Sequence, residues 1–111
     1  MYKFSLDFVD KIYEITKQLP ADEKLGLFSQ TRRAAVSIPS NIAEGAGRNS
    51  TKEFIRFLDI ANASLSELET QLNIISRLGF AETKDLIAND VTSIRKMLYK
   101  LRQALMKKLE K

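Results

Sequence analysis

From Phe54 to Ile75 one stripe of apolar residues runs Phe54, Leu58, Ala61, Leu65, Leu68, Leu72, Ile75, in steps that alternate strictly between four and three. No β-strand produces that beat, because strand side chains alternate with a period of two. It is the seam of a helix that packs along another helix, with the ~3.5-residue period of left-handed crossings near +20°. The same beat returns in Ile87, Val91, Ile94, Leu98, Leu101 and Leu105. Two earlier stretches carry shorter versions, Phe4, Phe8, Ile12, Ile15 and Leu19, then Leu27, Phe28, Ala34, Ala35, Ile38 and Ile42. Four such faces can be buried together only against one another.

The punctuation between the stripes separates them. Leu19-Pro20-Ala21-Asp22 ends the first helix, because a residue before proline is pushed out of the α region. Asp22 and Glu23 suit the first turn of the next, where the helix dipole favours negative charge. The second segment runs from Glu23 to Glu44 and contains Pro39; an interior proline costs about 3 kcal/mol, which predicts a kink or a break there. Gly45 and Gly47 are expected to close it in the left-handed conformation that glycine reaches freely. Ser50-Thr51-Lys52-Glu53 reads as a capping box, with Ser50 as N-cap and Glu53 reaching back. That third helix runs to Leu78-Gly79, and the fourth opens near Thr83 as its N-cap. The expected architecture is all-α, an antiparallel up-down-up-down four-helix bundle over residues 1–111 as a single domain. One long coiled coil is the competitor, and Pro20, Gly45, Gly47 and Gly79 argue against it. Two prolines and four glycines are too few for the turns of a sandwich or barrel.

Composition narrows the chemistry. There is no His and no Cys, so there is no imidazole base, no thiolate, no Cys/His zinc site and no disulfide. Glu44, Asp59, Glu67 and Glu69 are the carboxylates that could serve acid–base or metal chemistry. Bundle di-iron sites pair glutamates with histidines, and Glu67 and Glu69, two residues apart, diverge on a helix. A non-enzyme with no catalytic residue, cofactor or metal is therefore expected. Met1–Asp10 carries acidic residues where a signal peptide needs an apolar run. No stretch approaches the ~18 apolar residues of a membrane span. The expected location is the cytoplasm, away from membranes.

The run Arg32-Arg33-Ala34-Ala35-Val36-Ser37-Ile38-Pro39-Ser40-Asn41-Ile42-Ala43-Glu44-Gly45 is long and idiosyncratic. With Gly47-Arg48, Glu53-Phe54, Arg56-Phe57-Leu58, Ser64-Leu65 and Glu67-Leu68-Glu69-Thr70-Gln71-Leu72, it resembles the four-helix-bundle family encoded in intervening sequences of bacterial 23S rRNA genes. It is also similar to the accessory variability-determinant protein of diversity-generating retroelements. The match is close from about Tyr13 to Gly79 and holds only in character beyond. Thr31 departs from it, standing where a larger apolar residue is expected, and Ala63-Ser64 stands where Gly-Ser is common. The resemblance implies up-down bundles that associate as ring-shaped homo-oligomers, typically pentamers, without known catalysis. The retroelement relative implies binding to nucleic acid and to a reverse transcriptase.

Charge is uneven. From Val91 onward there are seven basic residues (Arg95, Lys96, Lys100, Arg102, Lys107, Lys108 and Lys111) against Glu110 alone, although the whole chain carries only +4. A basic face releases counterions when it neutralises phosphates, giving salt-sensitive, sequence-independent binding. A solvated face and a favourable helix C-terminus explain the same residues; repetition of the face around a ring favours polyanions. The candidate RNA or DNA contacts are Arg95, Lys96, Lys100, Arg102, Lys107 and Lys108, with Arg48, Lys52 and Arg56 near the second turn. The alternative is a scaffold for a protein partner, such as a reverse transcriptase, with no direct nucleic-acid contact.

Within the long motif, Arg32, Arg33, Asn41, Glu44, Gly45, Ser64 and Glu67 are read as a structural network or oligomer interface rather than a ligand site. Glu44 is expected to pair with Arg48, and Arg33 to approach Asn62 or Glu67. A hairpin turning near Gly47 sets Ala34 and Ala35 opposite Ala61 and Ile60. Arg32 and Arg33, about 100° apart on a helix, cannot both face the core. Leu6, Val9 and Tyr13, and Phe57, Ile60, Ile74 and Leu78, form second apolar stripes that suit self-association or a broad core face.

Overall fold

The computed structural model describes residues 1–110. Among them there are four α-helices and no strand: α1 Tyr2–Thr16, α2 Ser29–Ala46, α3 Thr51–Arg77 and α4 Thr92–Leu109. The molecule measures 51 × 24 × 19 Å. Packing follows chain order, with α2 and α3 apposed along most of their length, α1 on α2 and α4 on α3. The α3 stripe is the spine of the core: Leu58, Ala61, Leu65, Leu68, Leu72 and Ile75 are all essentially inaccessible.

Helix α1 buries Phe8 and Ile12 but also Ser5 and Thr16. Both hydroxyls donate to carbonyls of the preceding turn, Ser5 to Tyr2 at 2.7 Å and Thr16 to Ile12 at 2.8 Å, which removes the penalty of an unpaired buried donor. The helix ends at Thr16, short of the expected Leu19, which is still buried in the connection.

The break expected at Pro39 lies elsewhere. Helix α2 runs unbroken through a buried Pro39, and the interruption falls at Gly26, whose φ and ψ of −104° and −107° kink the π-helical turn (Lys24–Phe28) that follows a 3₁₀ turn (Ala21–Glu23) and leads into α2. Proline removes a single ladder bond. Around it Ile38 and Ile42 anchor the helix in the core, and Asn41 Nδ2 donates to the Ser37 carbonyl at 2.7 Å. Glycine at 26 offers the chain a cheaper place to bend.

The turn glycines also exchange roles. Gly47 caps α2 in the right-handed region, and Gly45 lies inside the helix, buried. A Cβ at 45 would stand 2.8 Å from Phe57 Cβ and 2.9 Å from Phe54 Cδ1. Its job is close approach of two helices, not a left-handed turn. The left-handed glycine is Gly79, at φ +74°. It closes α3 with a Schellman motif, Phe80 N–H donating to Ile75 and Gly79 N–H to Ser76 at 3.1 and 3.0 Å.

At the start of α3, Ser50 Oγ accepts from Glu53 N–H at 3.2 Å. The reciprocal half of the capping box is missing, because the Glu53 carboxylate accepts from Arg56 instead. Thr83 does precede the first turn leading into α4, yet its buried hydroxyl donates to the Leu72 carbonyl at 2.8 Å and ties the connection back onto α3.

Three sets of contacts fix the registers. The Ser37 and Ser64 hydroxyls lie 2.8 Å apart and Gly45 meets Phe54 and Phe57. Ala34 is thereby carried to the level of Glu67, not to Ala61 as a turn at Gly47 suggested, because the Ser37–Ser64 and Gly45–Phe57 contacts set the register further along α3. On the other side of α3, Arg95 reaches Glu69 and Arg102 reaches Asp59, each at 2.8 Å. Lys11 of α1 bonds the buried Asp90, in the π-helical lead-in to α4 (Leu86–Val91), at 2.9 Å.

Candidate nucleic-acid interface

Helix α4 turns Ile94, Leu98 and Leu105 inward. Its polar residues divide into two adjacent rows. Arg95, Tyr99 and Arg102 border α3; Lys96, Lys100 and Lys107, at helical spacing, form the next row outward with Lys108 beside them, all exposed.

The nine candidate phosphate contacts separate by residue type. Every arginine among them is held by a carboxylate: Arg48 by Glu44 at 2.7 Å, Arg56 by Glu53 at 3.0 Å, Arg95 by Glu69 and Arg102 by Asp59 at 2.8 Å. Arg48 and Arg56 also lie over the Phe57 ring, at 5.1 and 4.7 Å. Among the described residues no carboxylate pairs with Lys52, Lys96, Lys100, Lys107 or Lys108. A guanidinium offers several N–H donors on a long stem; of the four pairs only Arg56–Glu53 has a second contact, Nη2 donating to Oε1 at 3.5 Å. The hydrogen bond to Asp59 raises the Arg102 pKa above its ordinary value, and the hydrogen bond from Arg56 lowers that of Glu53. Among the nine candidates the uncompensated positive charge thus belongs to the lysines, and to two places: the α4 row, and Lys52 at the start of α3.

The long motif resolves into three pieces. Arg32 lies between the rings of Tyr13 and Phe28, at 4.1 and 3.8 Å, and donates to Thr16 Oγ1 at 2.8 Å and the Tyr13 carbonyl at 3.1 Å. It rivets α1 to α2. Arg33 is exposed and shares a cleft with Glu67, above the Ser37–Ser64 pair; Asn62 instead lines the α3–α4 groove. Asn41 braces the proline turn, Glu44 pairs with Arg48, and Gly45 admits Phe57. The departure at Thr31 is absorbed: it is fully buried and bonds the Leu27 carbonyl at 2.6 Å.

Asp59 and Glu69 as neutralising partners, and Tyr99, were not anticipated. The first two were hidden because the face of α3 that meets α4 depends on packing order; Tyr99, 63% exposed, was visible at the (i, i+4) position from Arg95. Of the second apolar stripes, Leu6, Tyr13, Ile60, Ile74 and Leu78 are exposed, whereas Phe57 is buried against Gly45 and presents nothing outward. Among the described residues no three acidic side chains converge as a metal would require, and no helix is long and apolar enough to cross a membrane.

The model of the 23S rRNA-intervening sequence protein family matches residues 1–100. The chain belongs to that family. No curated protein matches it significantly. The match takes in the whole of α1 to α3 and the Lys96 and Lys100 end of the α4 row, while Arg102, Lys107 and Lys108 lie beyond it.

Proposed function

We propose that the protein is a non-catalytic accessory module that binds the RNA or DNA backbone through the lysine row of α4. The observation that carries this reading is the segregation of charge. Lys96, Lys100, Lys107 and Lys108 lack carboxylate partners among the described residues, whereas each candidate arginine has one. An unpaired ammonium is the group that gains by meeting a phosphate; a paired guanidinium must first give up its carboxylate. The reading includes an antiparallel up-down-up-down bundle, supported by the opposed registers of α2 with α3 and of α3 with α4. It includes a cytoplasmic homo-oligomer, a pentamer by resemblance, whose copies would repeat the basic row. The exposed Ile60, Ile74 and Leu78 suit that assembly. Kinship to the retroelement accessory protein belongs to the same reading.

The test is a titration of mixed-sequence RNA and DNA against salt. Binding that weakens steeply with salt is expected. Lys100→Glu with Lys107→Glu should lower affinity for both and flatten the salt slope by roughly two phosphates. Thermal stability should move by less than about 0.5 kcal/mol, as for surface sites. Absence of binding at low ionic strength, or unfolding of the double variant, defeats the proposal.

A scaffold for a protein partner, such as a reverse transcriptase, is favoured by one different feature. Beside Arg32, the α1–α2 face exposes Leu25 (93%), Val36 and Tyr13 around a shallow cleft. A partner that co-purifies and survives nuclease treatment would favour this reading over the first.

A further inference from the structure

We propose that the groove between α3 and α4 receives an unstacked nucleobase, so that the protein prefers single-stranded RNA or DNA to duplex. The inference rests on the lysine row being a phosphate surface and specifies what lies beside it. Tyr99 is 63% exposed, more than any other aromatic residue among those described. Its hydroxyl accepts from Gln103 Nε2 at 3.0 Å, which pins the ring from the next turn of its own helix. The ring borders a groove of about 240 Å³ with Leu58 and Leu98 among its lining residues. That volume is below the roughly 300–1,000 Å³ of sites for drug-sized ligands, a size that suits one planar ring rather than an extended molecule.

The rest of the groove fits a base and not a phosphate. The Arg95–Glu69 and Arg102–Asp59 pairs close it at its two ends with their charges already compensated. Asp59 gives Oδ1 to Arg102, leaving Oδ2 to accept from a ring N–H or exocyclic amine. Asn62 on the same wall has no hydrogen-bond partner among the described residues, and an amide can both donate to and accept from a base edge. An anion entering here would meet the Asp59 carboxylate; one step outward, on the next row of α4, it would meet Lys96 and Lys100. An aromatic platform beside an unpaired cationic track is the arrangement by which single strands are held, because every base has a π-face while a paired base in a duplex cannot reach the ring.

The experiment compares fluorescence anisotropy of labelled single-stranded RNA, single-stranded DNA and a duplex of the same sequence and phosphate count, each at several salt concentrations, with the wild type, Tyr99→Ala, Tyr99→Phe and the Lys100→Glu/Lys107→Glu protein. Single strands should bind more tightly than duplex. Tyr99→Ala should weaken single-strand binding roughly 5- to 150-fold, the range of one lost base stack, leaving duplex affinity and salt slope unchanged; Tyr99→Phe should retain single-strand affinity. Circular dichroism of Tyr99→Ala should match the wild type, since the ring lies mostly outside the core. If Tyr99→Ala binds single strands like the wild type while the lysine variant fails, the base site is overturned and the phosphate surface stands. Preference of the wild type for duplex also overturns the base site. If the wild type binds none of the three, both readings fall.

Discussion

Helix α3 has two seams, and they are built by opposite means. Toward α2 the contacts are small: Gly45 under Phe57, Ala34 and Ala35 in the core, and a Ser37–Ser64 hydroxyl pair. Toward α4 the links at the surface are long and charged, Arg95 to Glu69 and Arg102 to Asp59, and between them lies a groove. Both seams use the same four-three stripe on α3, so periodicity alone does not separate them. Side-chain size does. Small residues let backbones approach until dispersion contacts fill the gap; at the α3–α4 seam Leu98 and Ile94 are buried while Arg95 and Arg102 border a groove of about 240 Å³. The close seam sets the α2–α3 register, and the open one borders the proposed base site.

Glycine substitutions test the close seam most severely. Gly45→Ala should overpack it by about 1–3 kcal/mol, because the new methyl meets Phe57 Cβ, which cannot swing aside. Alanine regains about 1 kcal/mol of helix propensity, so a net loss on the order of 1 kcal/mol is expected in denaturant unfolding. Gly47→Ala, two residues on, has the opposite sign. Gly47 is right-handed and a Cβ there meets only ordinary contacts at 3.6 Å, so a gain of about 0.4–1 kcal/mol is expected. If both substitutions act alike, close approach at Gly45 is not what specifies this seam.

The open seam should tolerate more. Arg102→Met breaks a pair whose members are roughly half exposed, and exposed pairs contribute little because water and salt screen them. A small stability loss is expected, with the Asp59 carboxylate left to water. A loss of several kcal/mol would show that the ion pairs, and not Leu98 and Ile94, hold α4 in place.

How much of this could be read from the chain follows the same division. The stripes announced the helices and their buried faces: of the seven α3 positions, only Phe54 retains substantial exposure. Ser50, the Glu44–Arg48 pair and the separation of Arg32 from Arg33 were equally legible, because they depend on spacing within one helix. What failed depended on the third dimension. Pro39 reads as a breaker by local rules, and tertiary anchoring by Ile38 and Ile42 overrode them. The offset that moved Ala34 from Ala61 to Glu67 is set by the Ser37–Ser64 and Gly45–Phe57 contacts, which spacing within one helix does not reveal. Arg95 and Arg102 read as free charges, since Glu69 and Asp59 lie far from them in sequence and meet them only when α3 and α4 pack.

The smallest effect expected is at the start of α3, where the close seam begins. Arg56 bonds Glu53 and lowers its pKa from the ordinary glutamate value. A carboxyl whose folded pKa lies below its unfolded one adds stability that is fully present above the unfolded pKa, near 4.5, and is lost as the pH falls through the folded pKa. The pair is solvent-exposed, so its contribution is minor and screened by salt. Glu53→Gln should therefore melt slightly below the wild type at pH 7, with the gap closing between pH 4.5 and more acidic values. The Ser50 cap survives the substitution because it bonds the backbone N–H of residue 53. A gap that persists in strong acid would mean that the side chain acts through the cap and not through its charge.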